Sequence, residues 1–85
     1  MRLMREAKED VTIYVKLLNE VVDVWRPVIA VAIRGDIYQI RPEQNYPREI
    51  EVWPFNPGMY VRCEQRTFQN GEVGLEAVEQ VAPFI

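Results

Sequence analysis

The stretch from Asp23 to Ile40, DVWRPVIAVAIRGDIYQI, constrains this chain more than any other. Its β-branched residues run up to Gly35-Asp36 and resume at Ile37, which predicts a strand, a tight turn and a partner strand. Gly35 permits the positive φ that such a turn needs. Alternation along a half-buried strand normally leaves one face polar. Here Val28, Ala30 and Ala32 share one face and Ile29, Val31 and Ile33 the other, so both are apolar. The second face therefore needs a cover, either more of this chain or another chain. Pro27 has no N–H to donate, which places that end of the strand at an edge or a corner.

Around this hairpin the rest of the chain also reads as strands. Val11 to Leu18 alternates cleanly, with Val11, Ile13, Val15 and Leu17 expected inward. Arg41 to Arg48, with two prolines and Asn45, is a loop. Glu49 to Phe55 alternates again, Ile50 and Val52 expected inward and Glu49, Glu51 and Trp53 outward. Asn56-Pro57-Gly58 marks a turn, Met59 to Phe68 a strand with Val61 and Cys63 inward, and Asn70-Gly71 a hairpin turn. Glu72 to Ala82 fits a strand to about Glu79, although Leu75, Val78 and Ala82 also fit a helical face. The N-terminal 1–10 is charged, and is either a frayed tail or a docked turn. The expected fold is all-β: a small antiparallel SH3-like barrel of about five to six strands formed by residues 11–85.

With 85 residues, 48% of them hydrophobic, the chain makes one small domain with little stability in reserve, a situation that oligomerisation often relieves. A net charge of -3 argues against binding the phosphate backbone of nucleic acid. Arg26 and Arg34 bracket the longest apolar run, which is too short to span a membrane. A single cysteine allows no intrachain disulfide, and with no leader-like segment the expected compartment is the cytoplasm. The absence of histidine removes the commonest general base and neutral metal ligand, so no cofactor is expected.

Val24-Trp25-Arg26-Pro27-Val28 after an alternating first strand, then Gly35-Asp36 with Tyr38, then Pro57-Gly58 with Val61-Arg62-Cys63-Glu64, form a recognisable set. From about Val11 to Glu79 the chain resembles a family of short uncharacterised bacterial proteins with small SH3-like barrels. That resemblance implies the fold and a bacterial source; it implies no activity and no functional residue.

The candidate chemistry is sparse. Glu43, Glu49 and Glu51 could serve acid–base work or bind a hard cation, but cross-strand pairing with Arg62 and Arg66 explains them as well. Cys63, expected inward, reads as a packed core thiol rather than a nucleophile. Arg26 either anchors an anion or pairs with a carboxylate such as Asp23. Two binding surfaces follow. The first is a self-association interface of Trp25, Ile29, Val31 and Ile33 on the outer face of strand 24–33. The second is an aromatic ligand surface of Tyr46, Trp53, Phe55 and Tyr60 for a peptide or protein, with Trp53 the best exposed case. The expected function is a non-enzymatic interaction or assembly module whose leading partner is itself, with a peptide adaptor as the alternative and a carboxylate enzyme a distant third.

Overall fold

The computed structural model describes residues 9–81. The expectations for residues 1–8 and for the end of the chain from 82 onward lie outside them. Five strands follow in order: β1 (Asp10–Lys16), β2 (Trp25–Arg34), β3 (Ile37–Ile40), β4 (Tyr60–Thr67) and β5 (Val73–Val81). They form a closed all-β barrel of SH3-like size in which each strand pairs antiparallel with the next. An odd number of strands linked this way leaves the first and last running in the same direction. Closure is accordingly parallel, through a single pairing of Tyr14 with Glu76.

The turns fall where Gly35-Asp36 and Asn70-Gly71 stand in the sequence, and Gly35 takes a φ of 53° at the corner. Two bulges interrupt the ladders. Ile33 is the extra residue between Ala32 and Arg34 in β2, and Val78 the extra residue opposite Arg62 and Cys63 in β4. An inserted residue shifts a strand's period by one. The Val78 bulge is why the residues near Leu75 fit a helical face as well as a strand, yet β5 is a strand through Val81.

Ile13, Val15, Val28, Ala30, Ile40 and Val61 fill the barrel, each 1% exposed or less, with Leu17, Cys63 and Ala77 beside them. The inward sets expected for the first strand and for β4 are the ones observed. Residues 49–55 depart from expectation. They form no strand, only an isolated bridge between Val52 and Leu18, and inside and outside are exchanged from Ile50 to Trp53, while Glu49 is exposed as expected. Glu51 and Trp53 are buried at 6% exposure each, while Ile50 is 79% exposed and Val52 40%. Burying an indole gains more apolar area than burying an isoleucine, and a counter-charge within reach of Glu51 makes its burial tolerable.

Candidate binding groove

The four residues of the expected self-association face do not share one surface. Val31 is buried at 6%, apart from the main core cluster, and Ile33 is half-buried at its bulge. Ile29 remains 39% exposed, but its backbone edge is closed: Gln44 Nε2 donates to Ile29 O at 2.8 Å and Gln44 Oε1 accepts from Ile29 N at 2.9 Å. A side-chain amide thus stands in for a neighbouring strand, which blunts an edge open to further pairing.

The aromatic set is largely spent on packing. Trp53 is buried, not exposed; its ring stacks on Tyr46 at 4.4 Å, and its backbone N–H donates to the Tyr46 hydroxyl at 2.9 Å. Tyr46 and Phe55 pack against the core, and Tyr60 is half-buried at the start of β4. Beneath Trp53, Glu51 accepts from Trp53 Nε1 at 2.9 Å and from Arg26 Nε at 3.0 Å, and it pairs with Arg26 Nη2. Arg26 therefore meets Glu51, not Asp23, whose partner is Lys16 at 3.3 Å. The guanidinium holds the Glu51 carboxyl below the usual carboxylate range, against the opposing effect of burial. A carboxylate fixed as the anion is poorly suited to donate a proton near neutrality. Among the described residues no group of three Asp, Glu or Cys side chains could hold a metal ion. Arg62 and Arg66 pair instead with Glu64, Glu79 and Glu76 on the outer face of β4 and β5. Burial pushes the Cys63 thiol up to about 12.

Of the two sets, Ile29 and Trp53 each line one hollow, and Trp25 lines two adjoining ones. Its ring meets Phe68 edge-on at 5.5 Å, and Phe68 tilts against Tyr14 at 4.9 Å. These three rings come from the start of β2, the turn after β4 and the middle of β1. Two of them, Tyr14 and Phe68, converge over a glycine in β5. A Cβ on Gly74 would stand 2.8 Å from Tyr14 Cε1 and 3.2 Å from Phe68 Cε2, so only a bare backbone lets both rings lie on the strand. Trp25 is further held by its indole N–H, which donates to Glu76 Oε2 at 3.1 Å. Glu76 in turn accepts from Arg66 at 3.1 Å, and the Arg66 guanidinium lies 4.5 Å over the Trp25 ring.

Two adjoining hollows open onto this aromatic floor and share Asp23, Trp25, Phe68 and Gln69. One, about 340 Å³, extends to Tyr14, Asn70 and Glu72. The other, about 490 Å³, extends to Val22, Arg66 and Thr67. The loop between β1 and β2 forms one bank, and at its tip Val21 is fully exposed and Val22 68% exposed. Sequence reasoning placed Trp25 in a candidate surface but missed Phe68, Tyr14 and Glu76. The available signal was Gly74, a glycine inside a strand where side chains from elsewhere must approach closely. Comparison of this chain with protein-family models, with curated proteins and with solved structures finds no match. No helix among the described residues is long and apolar enough to cross a membrane.

Proposed function

We propose that this chain is a non-enzymatic interaction module that takes an extended segment of a partner polypeptide in the groove around Trp25. The observation that carries this reading is the fixed, half-buried Trp25, tied to Glu76, stacked under Arg66 and lining both hollows. Tryptophan and arginine are enriched among the residues that dominate polypeptide recognition, and an indole offers a large, stiff contact area at low entropic cost. The exposed Val21 and Val22 supply apolar surface that folding leaves unused. Self-association through the outer face of strand 24–33 has less support, since Ile29 is the only member of its aliphatic trio that is exposed.

The test is selection of a displayed decapeptide library on the wild-type chain, with counter-selection on Trp25→Ala and on Val22→Asp. The second variant alters an exposed side chain and leaves the fold intact even if the first does not. Selected peptides are expected to shift the Trp25 indole resonance and the amides of residues 66–72. The reading is overturned if the same peptides survive both counter-selections or move resonances elsewhere. It is also overturned if dilution of the chain alone moves the groove resonances, because the occupant is then a second copy.

A further inference from the structure

The two hollows differ in charge, and the difference specifies a ligand. Resting on the reading of the groove given above, we propose that the segment it takes carries a basic side chain next to an apolar one. The basic group lies between Asp23 and Glu72 over Phe68 and Tyr14, and the apolar group lies against Val22.

The hollow of Tyr14, Phe68 and Glu72 contains two carboxylates and no cation. Glu72 is exposed and makes no ion pair among the described residues. Its backbone is nevertheless fixed, because its N–H donates to Asn70 Oδ1 at 3.0 Å and its carbonyl accepts from Phe68 N at 2.8 Å. Asp23 has one partner, Lys16 at 3.3 Å, and both side chains are about half exposed or more, 48% and 66%. Such a pair is weak and exchanges readily for another cation. The same hollow is lined by the aromatic side chains of Tyr14, Trp25 and Phe68, and aromatic faces attract cations in their own right. The molecule already uses that attraction elsewhere: Arg66 and Lys16 stand 4.5 and 5.7 Å over the Trp25 ring, and Arg48 stands 5.3 Å over Tyr46. Phe68 and Tyr14 carry no such cation of their own among the contacts of the described residues.

The second hollow is different. Its only cation, Arg66, is satisfied by Glu76, so nothing there calls for an anion, and Val22 offers an aliphatic wall. A basic residue followed or preceded by an aliphatic one matches both halves. An acidic segment, or a nucleic-acid backbone, meets two carboxylates at the first.

The experiment is a resonance titration of the 85-residue chain with four acetylated peptide amides, Gly-Arg-Leu-Gly, Gly-Gln-Leu-Gly, Gly-Glu-Leu-Gly and Gly-Arg-Ser-Gly. The Arg-Leu peptide is expected to shift the amides of residues 68–72 and the Trp25 indole. Replacing its Arg by Gln weakens binding about fivefold, as expected for a partly exposed ionic contact, and Glu abolishes it. Replacing Leu by Ser weakens binding with the charge intact. Asp23→Asn with Glu72→Gln removes the preference for Arg over Gln and leaves the dependence on Leu. Equal binding of the Arg and Gln peptides, or a preference that survives in the double variant, overturns the charge assignment and leaves the groove standing. If none of the four peptides moves a groove resonance, while library-selected peptides do, the basic–apolar assignment fails alone. If neither kind moves one, the groove itself fails.

Discussion

A carboxylate that is 6% exposed needs a counter-charge, and the only cation bound to Glu51 among the described residues is Arg26, whose side chain remains 47% exposed. Removing the guanidinium leaves Glu51 with one donor, the Trp53 indole. Arg26→Ala is therefore expected to cost about 2–3 kcal/mol in urea denaturation, the usual cost of losing a hydrogen bond to a charged group. Glu51 is held below its unfolded value of about 4.3, so its stabilising contribution is complete above that pH and is lost as pH falls through the folded value. Wild type should lose stability in acid more steeply than Arg26→Ala; parallel acid limbs would show that the pair is not the source. Cys63 has the opposite sign. Its thiol is pushed up to about 12, against about 8.5 unfolded, so the unfolded chain releases the proton first as pH rises. Stability conferred by the buried neutral thiol is complete below about pH 8.5 and falls progressively above it. Cys63→Ala should flatten the decline of the denaturation midpoint between pH 9 and 11, and an unchanged slope would contradict the burial of the thiol.

Two bulges and one side-chain cap shape the strands into a barrel, and they also decide which apolar residues are available. The buried side of β2 changes between Ala30 and Val31, ahead of the bulge at Ile33, so Val31 is enclosed although its neighbours of the same parity are not. A charge there meets no partner: Val31→Glu is expected to lower stability by about 3 kcal/mol or more, enough to unfold a domain of this size in part. Circular dichroism and size exclusion check this, and a fully folded, stable Val31→Glu would mean that the site opens to solvent. The alternation of residues 11–17, the Gly35-Asp36 and Asn70-Gly71 turns and the inward Cys63 were legible because each depends on local chemistry alone. The inward Glu51 and Trp53 were not. A glutamate flanked by aliphatics reads as the outer residue unless its arginine, 25 positions earlier, is known to face it. The groove was illegible for a similar reason. Tyr14, Trp25 and Phe68 lie far apart in the chain and meet only when β5 passes beneath them, with Gly74 as the sole local trace.

The barrel as a whole separates the residues that hold it together from those that remain to meet a partner. Besides Val73 and Ile29 on the strands, exposed apolar side chains lie in and beside the loop between β1 and β2: Leu18 is 46% exposed and bridged to Val52, Val21 and Val22 project from the loop tip, and Ile50 lies two residues from Val52. These side chains contribute little to burial, so losing them should cost little stability, within about 0.5 kcal/mol each as at ordinary surface sites. Val21→Ser, Val22→Ser and Ile50→Ser should each leave the urea midpoint and its slope almost unchanged, since the slope follows the area exposed on unfolding. Recognition should divide them. Val22 lines the groove and Ile50 does not, so Val22→Ser should weaken a groove-binding peptide several-fold while Ile50→Ser leaves its affinity intact. Denaturation curves and peptide titrations on the same three variants settle both halves. A loss above about 1 kcal/mol at Val21 or Ile50 would mean that this end of the barrel is packed rather than free, since surface substitutions rarely cost that much. Equal effects of Val22→Ser and Ile50→Ser on the peptide would mean that the contact extends across the whole apolar end. The occupant would then cover Leu18 and Val52 as well as Trp25, a footprint closer to a folded partner than to a single extended segment.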